Sequence, residues 1–483
     1  MRCGRVNQHT RHRKPVSLII ELATQASITA LEHPMKTTRT SPDPIAQVRA
    51  GSAAEVLAVF LKLGLTSFGG PIAHLGYFRR EFVDRRGWLD DATFTDLVGL
   101  CQFLPGPASS QVGFSIGVLR AGWLGGLAAW CGFTLPSVLL LIAFAAIAPD
   151  LGGRAGSGLI HGLKLVAVAV VAQAVWDMAR RLCPDRRRAA IAIVALVLLG
   201  VLTTVYAQLI VIVVGAALGW LLCRATATNA NANANANANA NANANANANA
   251  NANANANANA NAVAPPAGER QYANQFRVSR RTGAIALTLF CVLLFGLPLL
   301  TRFGAAHALS VFDGFYRSGA LVFGGGHVVL PLLQQHTVAT GWVTSNDFLA
   351  GYGAAQAVPG PLFTFAAFLG WSMTVAPNHW AGALLATLGI FLPGLLLVLA
   401  ALPYWQALRA HPSMAALLGG VNAAVVGLLA MALYSPVWTS AVHSGIDFAV
   451  ATTGFLLLTR WKIPPLAIVV LCALAGVGQA FLG

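Results

Sequence analysis

The chain has 483 residues, 56% of them hydrophobic and only 10% charged, with a mean hydropathy of +0.65. Soluble domains average ~25% charged residues, so this is a polytopic membrane protein. Its apolar windows run near the ~20 residues of a spanning helix and show none of the alternation of a membrane β-barrel. The net charge of +15 lies in the amino-terminal tail and in short loops, notably Arg180, Arg181 and Arg186–Arg188, then Arg270, Arg277, Arg280 and Arg281. That distribution is the positive-inside pattern of a chain embedded in a lipid bilayer and argues against nucleic acid as a partner.

Residues 1–49 are polar and basic, without the apolar core of a signal peptide, and are expected to be disordered and functionally silent. Met35 opens a stretch that starts the protein equally well. Seven cysteines (Cys3, Cys101, Cys131, Cys183, Cys223, Cys291 and Cys472) form no CxxC pair, which argues against a disulfide framework or a metal site. In the first half, at 50–223, helices are predicted at 52–68, 93–119, 122–148, 160–180, 189–204 and 206–223. Asn229 to Ala262 is an unbroken Asn-Ala repeat that cannot build a core, so 224–282 reads as a linker. A linking helix follows at 283–301. The second half, 302–483, has helices at 307–325, 347–371, 380–403, 414–435, 446–460 and 464–482. The total is about 13 transmembrane helices.

The halves are an internal duplication. Phe68-Gly69-Gly70 answers Phe323-Gly324-Gly325 at an offset of 255, and Gly87-Trp88 answers Gly341-Trp342 at 254. Gln102 and Pro105-Gly106-Pro107 answer Gln356 and Pro359-Gly360-Pro361, again at 254, while Leu135-Pro136 answers Leu392-Pro393 at 257. Six helices plus one give the second half opposite parity. The fold class is therefore an all-α membrane protein of two homologous six-helix halves in inverted orientation, a carrier architecture. Most basic loops fall on one side, with the amino terminus inside. The loop "RREFVDRR" (Arg79–Arg86) falls on the other side and contradicts it.

Pro-Gly-Pro breaks a helix in each half. The piece starting after Pro107 offers free N–H groups and a positive dipole end, with Ser109, Ser110 and Gln111 beside it, and such a terminus attracts anions. The second half has Leu362, Phe363 and Thr364 there, a poorer donor set, so the first half is expected to carry more of the substrate contact. Each glycine run ends a helix and is followed by a histidine, His74 and His327, at positions that do not match. Among ionisable residues within predicted spans, Lys62 and Lys164 are candidates to balance an anion, and Asn422 matches Lys164. Asp313 and Arg317 are spaced to pair with each other, and Asp96 and Asp177 are either proton carriers or snorkelling end residues. A Walker phosphate loop, an H-E-x-x-H zinc motif and a G-x-S-x-G elbow are all missing from the sequence, so no enzymatic activity and no cofactor are expected.

These residues add up to a resemblance. "FLKLGLTSFGGPIAHLGYFRREFVDRRGWLDDATFTDLVGLCQFLPGPASSQVGFSIG" (Phe60–Gly117) closely resembles the amino-half signature of the chromate ion transporter family. "FGGGHVVLPLL" and "GWVTSNDFLAGYGAAQAVPGPLFTFAAFLG" (Phe323–Gly370) are similar to its second-half counterpart. The resemblance covers roughly 50–223 and 283–483 and implies a long-chain, two-domain member. It implies efflux of chromate across a bacterial inner membrane, driven by the membrane potential or a proton gradient. The motif touches Gly69, Gly70, Pro71, His74, Gln102, Pro105, Gly106, Pro107, Ser109, Ser110 and Gln111, then Gly324, Gly325, Gly326, His327, Gln356, Pro359, Gly360 and Pro361. Sulfate shares the charge and shape of chromate and stays open as a substrate, as does exchange of the two. A homodimer is compatible with the sequence. A passive anion channel and a membrane enzyme acting on a lipid or quinone are the rival classes.

Overall fold

The computed structural model describes residues 51–151, 153–202, 207–223, 278–304, 306–323, 325–404 and 412–482, and among them only helices, turns and loops occur. The amino-terminal tail with Met35, linker residues 224–277 and Gly324 lie outside the described residues. Among the described residues, five helices are long and apolar enough to cross a membrane: Ala108–Asp150, Gly153–Leu182, Arg280–Arg302, His379–Tyr404 and Ala416–Ala441.

Helix α1 (Ala53–Thr66) opens on Ser52, whose hydroxyl accepts from the Glu55 N–H. Its 14 residues rise about 21 Å, short of the ~30 Å hydrocarbon core. The chain turns on Gly69 and Gly70, at φ of +99° and +78°, where a side chain would be strained. Pro71 sits in the first turn of α2 (Gly70–Phe78), which continues as a π-helical turn through Arg79–Arg85. Helix α3 (Asp91–Phe103) stops at Leu104-Pro105-Gly106-Pro107, and α4 (Ala108–Ile147) starts beyond it. At Ala121 and Gly122 helix α4 folds back, bringing Gly117 and Gly125 so close that a Cβ on either would strike the other's carbonyl.

These helices form two hairpins whose open ends meet. Glu55 pairs with Arg120 at 3.2 Å and Arg86 at 3.8 Å, and the Gly51 N–H donates to the Arg120 carbonyl at 3.0 Å. Both guanidiniums lie over the Trp88 ring, Arg86 at 5.4 Å and Arg120 at 4.9 Å from its centroid. The hairpin tips are Ser67–Gly70 and Leu104–Pro107. Helices α5 (Gly153–Leu182), α6 (Arg186–Val201), α7 (Ala207–Leu222) and α8 (Arg280–Arg302) follow.

The second half repeats the device with α9 (His307–Ala320), α10 (Val329–Thr337), α11 (Ser345–Ala355), α12 (Phe365–Trp371) and α13 (His379–Ala401). Here the open ends gather at Trp342, whose ring meets His307 at 5.2 Å and whose carbonyl accepts from the Thr374 N–H at 3.0 Å. Gly370 and Gly382 reproduce the close approach of Gly117 and Gly125. Helices α14 (Pro412–Ala432), α15 (Thr439–Ala441), α16 (Gly445–Thr459) and α17 (Pro465–Leu482) complete the chain.

The halves interlock reciprocally. Helix α5 packs on α17 through Gly158 against Gly476 and Gly162 against Cys472, and α14 packs on α7 through Gly420 against Gly215 and Gly219. In both pairs, the longer helix of one half lies on the last helix of the other. Gly454 of α16 likewise rests on Ala169 of α5, as Gly427 of α14 rests on Ala192 of α6.

Several sequence expectations change. The predicted helix 52–68 ends at Thr66, 93–119 and 347–371 are each two helices, and 122–148 is the second arm of α4. The stretch 79–86, read as a loop, is helical through Arg85. Helices α2 and α10 were not anticipated. Against about 13 transmembrane helices expected, the described residues hold five long apolar helices, with Ala207–Leu222, Leu362–Trp371, Gly445–Thr459 and Pro465–Phe481 as shorter apolar ones.

Candidate functional site

The two breaks come together at the hairpin tips. The Gly106 N–H donates to the Val322 carbonyl at 2.8 Å, and the Gly360 N–H donates to the Ser67 carbonyl at 2.9 Å. Each Pro-Gly-Pro is thereby tied to the glycine-run tip of the other half. Pro71 and Gly326, at matching positions, also face one another. A long helix backs each break: a Cβ on Gly106 would lie 3.0 Å from Gly394 Cα of α13, and one on Gly360 would lie 2.9 Å from Ser137 Oγ of α4. Leu135-Pro136 and Leu392-Pro393 mark those two supports in the sequence.

The first break is the polar one. Pro107 provides no side-chain cap for α4, so the N–H groups of Ala108, Ser109 and Ser110 stay available at the positive end of the helix. Gln111 is fully buried, and its Nε2 donates to the Pro105 carbonyl at 2.9 Å and to the Gly394 carbonyl at 3.0 Å. His74 is fully buried against Phe133. Its Nε2 lies 3.2 Å from the Ser67 carbonyl and its Nδ1 3.4 Å from Ser109 Oγ. A carbonyl only accepts, so Nε2 carries the hydrogen and, in neutral His74, Nδ1 accepts from the Ser109 hydroxyl. The hydroxyls of Ser67 and Ser110 are buried without a hydrogen-bond partner among the described residues. Buried donors left in that state cost stability, which an acceptor such as an oxyanion would relieve.

The second break is more apolar. His327 Nδ1 meets the Tyr352 hydroxyl at 2.7 Å, and Gln356 Nε2 donates to the Tyr352 carbonyl at 3.3 Å. Pro359 and Pro361 are buried, Gly360 is half-buried and Gly325 is exposed. A 350 Å³ cavity beside it is lined only by apolar residues, among them Leu163, Ala357 and Val358, and suits hydrocarbon.

The structure does not bring every candidate to the tips. Lys62 is exposed on α1 and Gln102 is exposed at the end of α3, whereas Gly69 lies at the first tip but is exposed there. Lys164 donates to Asn346 Oδ1 at 2.8 Å, in the first turn of α11 and far along that helix from its break. Asp313 and Arg317 do pair, at 2.7 Å. Ser67, Ser137, Tyr352 and Gly394 belong to the site and were not singled out from the sequence. Ser137 and Gly394 had a signal there, since they follow the matched Leu135-Pro136 and Leu392-Pro393.

Comparison with known proteins agrees with this duplicated architecture. The chromate transporter family model matches residues 54–220 and 309–477. A chromate transport protein of Pseudomonas aeruginosa is 28% identical over 458 residues, covering 91% of this chain and 94% of its own. A probable chromate transport protein of Synechococcus elongatus is 25% identical over 436 residues, with 89% and 96% covered. A chromate transport protein of Cupriavidus metallidurans is 24% identical over 447 residues, with 90% and 97% covered. No solved structure matches. With both halves matched in register with the two sets of hairpins, the chain belongs to the chromate transporter family.

Proposed function

We propose that this protein is a secondary carrier that exports chromate across a bacterial inner membrane and so confers chromate resistance. The observation that carries the reading is the first tip, where an uncapped buried helix start, two unpartnered serine hydroxyls and a buried His-Ser pair converge on one break. Gly69, Gly70, Pro71, His74, Pro105, Gly106, Pro107, Ser109, Ser110 and Gln111 form the principal anion surface. The second tip, with Gly325, Gly326, His327, Gln356, Pro359, Gly360 and Pro361, closes over it. Gly324 joins them by its place in the motif. Lys62 and Lys164 lie away from both tips and are left out of the site.

Alternating access is a rocking of the two halves about the crossed Gly106–Val322 and Gly360–Ser67 bonds, with the halves inverted in the membrane. The hairpins return to the side they enter from, which leaves four crossings in each half and α8 between them, nine in place of thirteen. The Asn-Ala tract is a tether between halves. The membrane potential or a proton gradient supplies the driving force. Sulfate has the same charge and shape, so it competes.

Uptake of labelled chromate into inverted, energised vesicles tests this. Energy-dependent, saturable uptake that excess sulfate inhibits is the expected outcome. Uptake that neither saturates nor depends on a gradient would make the protein a channel, and no uptake by inserted protein would remove chromate as substrate.

A further inference from the structure

We infer that the first half supplies anion donors at both tips, and that Trp130 Nε1–H and Thr134 Oγ1–H are the donors facing the second break. This rests on the carrier reading above. The helix start at the second break has no free hydroxyl of its own: at the offset of 254, Phe363 and Thr364 stand where the first has Ser109 and Ser110, and the Thr364 hydroxyl is spent on the Pro361 carbonyl at 2.7 Å.

Helix α4 lies against that break. Residues 130, 134 and 137 are spaced four and three apart, so they share one face of the helix. Ser137 fixes where the face looks, since its Oγ would sit 2.9 Å from a Cβ on Gly360. Trp130 points the same way. Its ring is 5.8 Å from Phe391, which is 5.9 Å from Phe363 in the first turn after the second Pro-Gly-Pro.

Ser137 has already donated its proton to the Thr134 carbonyl at 2.9 Å. Trp130 Nε1 and Thr134 Oγ1 have not: both atoms are buried, Thr134 is 3% exposed, and neither has a hydrogen-bond partner among the described residues. An indole N–H can only donate, so an acceptor is all it lacks. Two unspent donors one helical turn apart, with the Phe391 ring against Trp130 and the Phe363 ring beyond it, suit two oxygens of a tetrahedral anion. The apolar walls strengthen the bonds by excluding water. The same residues then act as specificity determinants, because they reward oxygen acceptors and offer nothing to a halide-sized ion that reaches only one of them.

The test uses Trp130→Phe and Thr134→Val, which remove one N–H and one O–H while keeping most of the shape, and Thr134→Ser, which keeps the hydroxyl. In inverted vesicles we expect KM for chromate to rise about tenfold in the first two, the scale of a lost bond to a charged group, with maximal rate within about twofold of wild type. Thr134→Ser restores the wild-type KM. Unchanged KM in both deletions, or a Thr134→Ser variant as impaired as Thr134→Val, overturns the assignment. Chromate-induced thermal stabilisation of the purified full-length protein gives an independent readout. Loss of that stabilisation in Trp130→Phe supports the assignment and its retention overturns it. Wild-type vesicles that take up no chromate would defeat the carrier reading itself, and the thermal measurement would still decide the two donors.

Discussion

Gln111 does two jobs with one amide. Its Nε2 caps the Pro105 carbonyl left bare by the break and at the same time reaches Gly394 in the other half. Replacing it with leucine keeps the volume and removes both bonds, leaving the half-buried Pro105 carbonyl and the buried Gly394 carbonyl without that donor, the latter at a cost of about 1–3 kcal/mol. Gln111→Leu is therefore expected to lower the unfolding midpoint of the purified protein by several degrees and to reduce chromate uptake more than the stability loss accounts for. A variant with wild-type midpoint and uptake would show that the bridge contributes nothing. The close approach at Gly106 sets the same demand on the backbone, since its φ of +119° and its packing on Gly394 both exclude a side chain.

At the scale of elements, glycine placement decides which helices cross closely. Gly162 of α5 faces the Cys472 carbonyl and Ala473 of α17 so tightly that any Cβ must displace backbone, whereas nothing lies within 4 Å of a Cβ on Gly478 of α17. Gly162→Leu should cost well over the 1–3 kcal/mol of ordinary overpacking, and Gly478→Leu within about 0.5 kcal/mol. The yield of monodisperse protein in detergent measures the contrast, and equal yields would deny the crossing its role. The sequence reveals such features unevenly. Pro-Gly-Pro announces a break because the chemistry that breaks the helix is in the residues themselves, and the repeat announces itself by constant spacing. The hairpins do not: α2 follows directly on two glycines and ends in "RREFVDRR", whose charges read as loop until Arg79 is seen on Asp91, Arg85 on Glu81 and Arg86 on Glu81 and Glu55. The cross-ties between tips use backbone N–H and C=O groups, which leave no side-chain signature. Trp130 and Thr134 sit in an apolar run, where a lone indole or hydroxyl reads as packing.

For the whole molecule, the proposed re-entrant hairpins would reorganise the charge map. With thirteen crossings and the amino terminus inside, Arg79–Arg86 falls outside, opposite Arg180–Arg188, and the positive-inside pattern fails at that one place. With each hairpin returning to its own side, the Trp88 end would lie with the end of α5, the start of α8 and the turn at Arg460, so these basic stretches would share one face. The packing agrees, since Gly283 at the start of α8 rests on Ala400 near the end of α13, a helix whose other end lies by Trp342. The two readings make opposite predictions for accessibility. Asp84 beside the first set of open ends and Thr340 beside the second are both exposed, so each accepts a cysteine without disturbing packing. In a background lacking the native cysteines, Asp84→Cys should react with a membrane-impermeant maleimide only from the cytoplasmic side, and Thr340→Cys only from the outside. Thirteen crossings place Asp84 outside and Thr340 inside, so the reverse labelling would restore that count. Labelling of both from one side would deny the inversion altogether and with it the rocking of one half against the other.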